Sequence, residues 1–174
     1  DAYLKVASAR VVALHPKGIE LDRTIFYPLG GGQIGDTGVL VRANGERIPI
    51  EDTRKDRALD VVLHQTAAAA ARPEAGETLT LEIDWPRRYR LMRLHTALHL
   101  MSCVVMAPVS GGNIGADRAR LDFDIDMSLL DGQRIESQMN ELISRCIETE
   151  TVWITDDELE ARPELVKTMS VQPP

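Results

Sequence analysis

Two histidines separated by one helical turn are the first residues of this sequence whose types and spacing could do chemistry. His95 and His99 stand in the segment Arg93-Leu-His-Thr-Ala-Leu-His-Leu-Met101. Side chains at positions i and i+4 lie on the same side of a helix, so the two imidazoles could bind one metal ion. Neutral imidazole is a common zinc ligand. The alternative interpretation is a pair of half-exposed surface histidines.

A catalytic zinc site usually needs three protein ligands and an open position for water, so a third ligand must be sought. Cys103 repeats the four-residue spacing, but eight residues separate it from His95. Eight residues of helix span about 12 Å, which a short thiol side chain cannot bridge. Cys146 belongs to the apolar stripe of another predicted helix. We therefore predict that both cysteines are reduced thiols in the core.

The element that carries the two histidines is predicted to be a helix. Its apolar residues recur at helical spacing, with the histidines on the flank of the stripe: Leu91, Leu94, Leu98, Met101 and Val105. A second helix is expected from Gly132 to about Glu150, with Asp131 as its N-cap. Its inward positions are predicted to be Ile135, Met139, Leu142, Ile143 and Cys146. Two strands complete this half, at Arg120 to Met127 and at Thr151 to Ile154.

Short runs of alternating apolar and polar residues dominate the sequence before Trp85-Pro86. Such alternation predicts half-buried strands, and Asn44-Gly45 is a hairpin signal. The strands are expected within Tyr3 to Leu14, Gly18 to Tyr27, Val39 to Ile50, Leu59 to Leu63 and Thr78 to Ile83. The predicted fold class is therefore α+β. A small N-terminal β-barrel with a glycine-rich loop occupies residues 1–85, and an α+β domain with the histidine helix occupies residues 86–174.

The glycine-rich loop lies in Thr24-Ile-Phe-Tyr-Pro-Leu-Gly-Gly-Gly-Gln-Ile-Gly-Asp-Thr-Gly38. Consecutive glycines permit positive φ and a close approach of the backbone to a ligand. The loop lacks the Gly-Lys-Ser/Thr ending of a phosphate-binding P-loop, so a nucleotide-binding fold is excluded. A plain β-turn between two strands is the alternative interpretation.

The order of these motifs resembles a known family. Thr-x-Phe-Tyr-Pro-x-Gly-Gly-Gly-Gln-x-x-Asp-Thr-Gly, followed by Arg-x-His-Thr-Ala-x-His-Leu, is similar to the editing domain of alanyl-tRNA synthetase and to the free-standing AlaX-type trans-editing proteins. The resemblance continues through Arg120-Leu-Asp-Phe-Asp124 to Val166-Lys-Thr-Met-Ser-Val171, and so covers nearly the whole chain.

The resemblance implies roles for residues of both halves. It implies that His95 and His99 bind zinc, and that the other ligands come from a Cys-x-x-x-His motif downstream of the point where this chain ends. We therefore expect a piece of a longer polypeptide, truncated within the editing domain. In the candidate catalytic pocket, the hydroxyl of Thr24 is implied to read a serine side chain. Gln33 and the loop Gly30, Gly31 and Gly32 are implied to shape the pocket. The alternative for Thr24 is an ordinary β-branched strand residue.

Charge points to a local nucleic-acid contact in a protein that is acidic as a whole. The formal net charge of −7 argues against a generally basic RNA-binding protein. Four arginines nevertheless fall beside Trp85 and Tyr89, just before the two histidines: Arg87, Arg88, Arg90 and Arg93. We expect them to bind the phosphates and terminal adenosine of a tRNA acceptor end. A solvated helix face is the alternative.

Three further groups are assigned no function. Asp122, Asp124 and Asp126 share one face of a predicted strand, where carboxylates could chelate a cation but are more often solvated. His15 and His64 each lack a partner motif, so structural or surface roles are expected for them.

The predicted function is metal-dependent hydrolysis of tRNA(Ala) mischarged with serine or glycine, by an aminoacyl-tRNA deacylase acting in trans. Two alternatives stay open. One is a cis-editing domain of a full alanyl-tRNA synthetase, and the other is a non-catalytic RNA-binding module with an incomplete metal site. Neither a membrane-spanning apolar run nor a signal peptide is seen, so a cytoplasmic location is expected.

Overall fold

The computed structural model describes residues 1–68, 70–150 and 152–166. The backbone divides into two compact units. The N-terminal unit comprises Asp1–Met92 with Gly115–Asp117, and the C-terminal unit comprises Arg93–Ile114 with the chain from Arg118 onward. The division of the sequence into domains 1–85 and 86–174 stays a prediction.

The N-terminal unit is built on one seven-stranded antiparallel sheet. Its strands are β1 Val6–His15, β2 Gly18–Leu21, β3 Gly38–Val41, β4 Arg47–Ile50, β5 Asp52–Asp56, β6 Val61–Gln65 and β7 Thr78–Ile83. Their order across the sheet is β4-β3-β7-β1-β2-β6-β5. Together with the helices described below, this sheet confirms the predicted α+β class.

The predicted small barrel is corrected to an open sheet. Strand β1 pairs with β7 through Val6–Arg10 and with β2 from Val11 onward, and its register shifts between Val11 and Ala13. The sheet therefore turns about β1 and leaves β4 and β5 as its two edges. A barrel closes only when its edge strands pair with each other. Within the described part of the chain, no ladder joins β4 to β5.

Alternation along the strands places the core on one face of the sheet. In β7, Leu79 and Leu81 are buried while Thr78 and Thr80 are exposed, which is the period of two that a half-buried strand requires. These residues belong to a cluster contributed by the neighbouring strands and by the segment after β2: Ala9, Val11, Ile19, Phe26, Leu40, Ile48, Ile50, Leu79, Leu81 and Ile83.

Sequence reasoning missed strand β5. Its residues, Asp-Thr-Arg-Lys-Asp, are mostly charged, and only Thr53 is buried. Charged residues are typical of an edge strand, because they oppose pairing with another chain. The strand exists because β6 pairs with it along its whole length.

The C-terminal unit contains most of helix α1, which spans Trp85–Val104 and begins in the N-terminal unit. It continues with the hairpin β8 Val109–Ile114 and β9 Ala119–Phe123, then with the helices α2 Gly132–Ser144 and α3 Asp156–Ala161. Asp131 caps α2 as predicted, since its carboxylate accepts hydrogen bonds from the backbone N–H groups of Gln133 and Arg134. Among the described residues, no helix combines the length and apolar composition that crossing a membrane would need.

Four predictions in this unit were wrong. The strand expected at Arg120 to Met127 ends at Phe123, because Phe123 pairs with Val109, the first residue of β8. The second helix ends at Ser144 and not near Glu150, since Cys146 follows with a positive φ of 46°. Cys103 and Cys146 are exposed free thiols and not core residues. Residues 152–154 form no strand, and Thr151 lies outside the described residues.

Candidate functional site

A hydrogen-bonded pair, Thr24 and His64, lies next to the core of the N-terminal unit. Thr24 follows β2, and its Oγ1 atom lies 2.7 Å from Nε2 of His64 in β6. The same oxygen accepts a hydrogen bond of 3.0 Å from the backbone N–H of Phe26. Thr24 is half-buried, whereas His64 is fully buried. The threonine hydroxyl is thus held by two protein groups.

The direction of the bond between Thr24 and His64 follows from the other side of the imidazole ring. Nδ1 of His64 lies 3.0 Å from the carbonyl oxygen of Ile19, which can only accept a hydrogen bond, so Nδ1 carries the proton. Burial lowers the pKa of His64, which keeps the ring neutral near pH 7. Nε2 is then an acceptor, and the Thr24 hydroxyl donates to it.

Packing also restrains the imidazole of His64. The edge of the buried Phe26 ring meets His64 in a T-shaped contact, with ring centroids 5.3 Å apart and an interplanar angle of 89°. Ile19 and His64 are directly opposed in the ladder between β2 and β6. Edge-to-face contacts between aromatic rings are favourable, so the ring has little freedom to rotate.

The glycine-rich loop forms a tight turn. The backbone groups of Gly30 and Gln33 exchange hydrogen bonds of 3.1 and 2.9 Å, and the two residues between them have positive φ, 56° at Gly31 and 79° at Gly32. Positive φ at both central positions is the signature of a type I′ turn and favours glycine there. The phenolic hydroxyl of Tyr27 donates to the carbonyl of Gly30 at 3.2 Å.

The turn exposes Gly31 and Gly32 but buries Gln33, which is 4% exposed. The structure therefore bears out the β-turn interpretation of the glycines. The participation of these glycines and of Gln33 in a substrate pocket stays a prediction.

Asp36, three residues after Gln33, holds this loop in place through hydrogen bonds. Its carboxylate accepts a 2.7 Å hydrogen bond from the backbone N–H of Tyr27, and its own N–H donates to the Tyr27 carbonyl at 2.9 Å. The hydroxyl of Thr53 donates to the Asp36 carbonyl at 3.0 Å. Asp36 is fully buried, so its charge requires a partner.

Arg88 is that partner. Its Nε atom lies 2.9 and 2.8 Å from the two carboxylate oxygens of Asp36, and Nη2 also contacts this carboxylate. Nη2 donates to the carbonyl of Ile25 at 2.9 Å as well. Arg88 is only 6% exposed. Its place among the RNA-binding arginines stays a prediction, and turning toward an external phosphate would leave Asp36 buried and unpaired.

The other three arginines of the cluster differ from Arg88 in exposure. Arg87 is half-buried, and its Nη1 donates to the carbonyl of Gly35 at 2.8 Å. Arg90 and Arg93 are exposed. Nη1 of Arg90 lies 3.4 Å from Oδ1 of Asp117, and both side chains are largely open to solvent, so that ion pair is weak.

Aromatic side chains lie at the start of α1, beside these arginines. The Trp85 and Tyr89 rings stack at a centroid distance of 5.6 Å, and Tyr3 lies 5.9 Å from Trp85. The ammonium group of Lys5 sits 4.8 Å from the centre of the Trp85 ring. Partly exposed aromatic rings beside cationic groups are typical of surfaces on which nucleic-acid bases stack.

The two α1 histidines lie side by side. The His95 and His99 rings are nearly parallel, at 10°, with centroids 5.1 Å apart. Burial lowers the pKa of His95, and the neighbouring His99 adds to the effect, so His95 is neutral near pH 7. A neutral imidazole is the form that binds a metal. In the ranges that the structure describes, no group of three or more His, Cys, Asp or Glu side chains is arranged to hold a metal ion.

The remaining candidates have structural roles. Arg120 Nε pairs with Oδ1 of Asp122 at 2.9 Å, while Asp124 and Asp126 lie beyond the end of β9. The Asp126 carboxylate accepts a 2.8 Å hydrogen bond from the N–H of Ser128, which lowers its pKa. Nε2 of His15 lies 2.7 Å from a carboxylate oxygen of Glu20.

Sequence reasoning missed His64 and Asp36. Thr24 and His64 are 40 residues apart, and Asp36 and Arg88 are 52 apart. No local period or motif spacing links residues at such separations. The only sequence signal for either was the Asp-Thr-Gly ending of the glycine motif, in which Asp36 is the first residue.

Three comparisons relate the chain to known proteins. Residues 4–87 match the family model of class II (A) tRNA synthetases. The alanyl-tRNA editing protein AlaX-M of Saccharolobus solfataricus is 33% identical over 180 aligned positions, which cover 100% of this chain and 74% of that protein. The alanine–tRNA ligase of Aeropyrum pernix is 34% identical over 161 positions, covering 88% of this chain but 17% of the ligase.

The extent of the match differs between these relatives. The ligases share a small part of their length with this chain, whereas the editing protein aligns with all of it. The Thr24 to Gly38 segment lies within the residues 4–87 that match the synthetase model; it forms the turn held by Asp36 and contributes Thr24 to the pair with His64. The chain therefore belongs to the family of AlaX-type alanyl-tRNA editing proteins and the related editing domains of alanyl-tRNA synthetases.

Proposed function

We propose that this protein is a deacylase that hydrolyses the ester of mischarged Ser-tRNA(Ala), and also of Gly-tRNA(Ala), in trans. The observation that carries the proposal is the hydroxyl of the half-buried Thr24, which is held by His64 and by the backbone of Phe26. All of this chain aligns with an editing protein. Serine differs from alanine by one hydroxyl group. A site that hydrogen-bonds this group can separate the two substrates.

The discrimination rests on an unpaired polar group. An apolar pocket separates alanine from serine poorly, whereas a buried polar group left without its partner costs about 1 to 3 kcal/mol. Thr24 Oγ1 would accept a hydrogen bond from the serine hydroxyl, and alanine would leave that remaining acceptor position unused. Glycine has neither the hydroxyl nor the methyl group, so its hydrolysis would not depend on Thr24.

Zinc is proposed as the cofactor, with His95 and His99 as two of its ligands. The donor set fits this role in part, since both side chains are imidazoles on one helical turn with adjacent rings. Bound zinc would polarise the ester carbonyl or lower the pKa of a water molecule. Further ligands are needed, and the described residues arrange no third one.

The proposed macromolecular partner is tRNA. The exposed Arg90 and Arg93 and the half-buried Arg87 would contact phosphates of the acceptor end, and the Trp85–Tyr89 stack would contact a base. The net charge of −7 confines such binding to a local patch.

The test is a comparison of deacylation rates. Purified protein would be incubated with Ser-, Gly- and Ala-tRNA(Ala), with and without added zinc, and compared with spontaneous hydrolysis. We expect acceleration for the first two and near-background hydrolysis of Ala-tRNA(Ala). Normal tRNA binding without acceleration would favour a non-catalytic RNA-binding module, and equal acceleration for all three would contradict an editing function.

A second candidate is the same reaction in cis, as the editing domain of a full synthetase. It is favoured by the match of 88% of this chain to an alanine–tRNA ligase. An aminoacylation domain encoded in the same gene would decide for it. ATP-dependent charging of tRNA(Ala) by the gene product is the corresponding assay.

A further inference from the structure

We propose that His64 is a positioning residue for substrate selection: it accepts the hydrogen bond of the Thr24 hydroxyl and so leaves Thr24 Oγ1 as an acceptor that a substrate hydroxyl, but not a methyl group, can satisfy. The inference rests on the proposed function and deepens it. It adds a buried histidine outside the glycine and histidine motifs of the chain.

The hydroxyl of Thr24 has one hydrogen-bonding position left for a ligand. A hydroxyl group has one donor and two acceptor positions. The donor is used by His64 Nε2 at 2.7 Å, and one acceptor position is used by the backbone N–H of Phe26 at 3.0 Å. The position that is left is an acceptor. A ligand that binds there must donate a hydrogen, as the hydroxyl of serine can.

The alternative tautomer of His64 would give Thr24 a different preference. If Nε2 of His64 carried the hydrogen, it would donate to Thr24, and the threonine proton would be free to point at the substrate. The site could then be satisfied by any acceptor. The Ile19 carbonyl, 3.0 Å from Nδ1, selects the other tautomer because it offers only lone pairs. The polarity of Thr24 is therefore set through the ring by a backbone group of β2.

The groups that hold Thr24 are rigid. His64 is fully buried, opposes Ile19 in the ladder between β2 and β6, and meets the edge of the Phe26 ring. The two residues that hydrogen-bond Thr24, His64 and Phe26, are thus buried and do not need a ligand to order them. A prearranged acceptor discriminates better than a mobile one, because no reorganisation offsets the penalty for the wrong substrate.

Two substitutions of His64 separate its two hydrogen bonds. The amide of Asn reaches the Nδ1 position, so His64→Asn can keep the bond to Ile19 while removing the acceptor for Thr24. The amide oxygen of Gln reaches the Nε2 position, so His64→Gln can keep that acceptor. His15→Asn is the matched control, since His15 is a histidine of the same sheet that is paired with Glu20.

The measurement is kcat/KM for Ser-, Gly- and Ala-tRNA(Ala). We expect His64→Asn to lower the ratio of Ser to Ala hydrolysis by about tenfold, which corresponds to 1.4 kcal/mol, and to leave the ratio of Gly to Ala unchanged. His64→Gln should restore most of the selectivity, and His15→Asn should show the wild-type ratios. A purely structural role for His64 would lower all three rates together, and that result would overturn the inference.

Two further measurements complete the test. In a Thr24→Val background, His64→Asn should have no additional effect on the Ser to Ala ratio, because His64 acts through Thr24. The ¹H–¹⁵N spectrum of His64 should show a protonated Nδ1 and an unprotonated Nε2; the reverse pattern would overturn the inference. A wild-type protein that hydrolyses none of the three substrates would instead refute the proposed function, and the inference would fall with it.

Discussion

At the scale of single residues, the hydroxyl of Thr24 matters through the groups that hold it. A free threonine hydroxyl rotates and can donate or accept. Here the Phe26 N–H and the His64 ring fix both its position and its direction. The same logic applies to Asp36 and Arg88, whose buried charges are matched by each other and by backbone groups.

Replacing Thr24 by Val should reduce substrate selectivity. The change keeps the shape and β-branching of the side chain but removes its hydroxyl, so a serine substrate would have no partner for its own hydroxyl. We expect the ratio of kcat/KM for Ser- and Ala-tRNA(Ala) to shrink by about tenfold or more, as a discriminating hydrogen bond worth 1.4 kcal/mol requires. Kinetics of both charged tRNAs on wild type and variant provide the measurement. An unchanged ratio would leave Thr24 as an ordinary strand-flanking residue.

His64 should make stability depend on pH. Its pKa in the folded protein is lowered by burial, so below about pH 6.5 the unfolded chain binds more protons than the folded one. The contribution of His64 to the free energy of unfolding should be complete above that pH. It should decrease as the pH falls, by at most about 1.4 kcal/mol per pH unit. Urea denaturation of wild type and His64→Gln at pH 7.5 and about pH 5.5 measures the difference. Parallel decreases in the two proteins would contradict this assignment.

At the scale of elements, helix α1 combines two kinds of basic residue. Arg88 is buried and binds the loop that contains Asp36, whereas Arg90 and Arg93 are exposed. The helix is thereby attached to the turn region by one arginine and offers other arginines to solvent. A cluster that looks uniform in the sequence thus divides by helix face.

Removing the two exposed arginines should weaken tRNA binding more than chemistry. Arg90→Ala with Arg93→Ala should raise the KM for charged tRNA and leave kcat nearly unchanged, because phosphate contacts are made alike in ground and transition states. The salt dependence of 1/KM should become flatter, by about 0.7 to 0.9 in logarithmic slope for each phosphate that the variant no longer neutralises.

The control for that variant removes the same charge elsewhere. Arg23→Ala with Arg57→Ala deletes two exposed arginines of the N-terminal unit that lie outside α1. If both double variants shift KM and its salt slope equally, net charge explains the effect and α1 has no special role.

At the scale of the whole molecule, the zinc content of the purified protein tests whether the two helix histidines bind the metal. His95→Ala and His99→Ala should each lower the zinc content of the purified protein, because each removes one of the two helix ligands. Elemental analysis against wild type and His15→Ala is the measurement. Equal, stoichiometric zinc in all four proteins would rule out the helix histidines as ligands.

The sequence by itself determined the features that depend on near neighbours. Alternation located β7 at Thr78–Ile83, an acidic residue before a helical stretch identified the Asp131 cap, and consecutive glycines indicated the turn at Gly31 and Gly32. Motif order predicted the family, which similarity to an editing protein along all of this chain confirmed. These features can be predicted from the sequence because periodicity, capping and turn formation depend on only a few neighbouring residues.

Only the tertiary structure decided which distant residues meet. The charged strand β5 forms because β6 pairs with it, and the sheet stays open because β1 pairs with different strands along its two halves. The same ladders bring His64 to Thr24, and the fold carries Arg88 into the core against Asp36. Strand register and burial depend on the packing of the whole sheet, so a side chain that looks like a solvated arginine or an isolated histidine acquires its role only when the chain has folded.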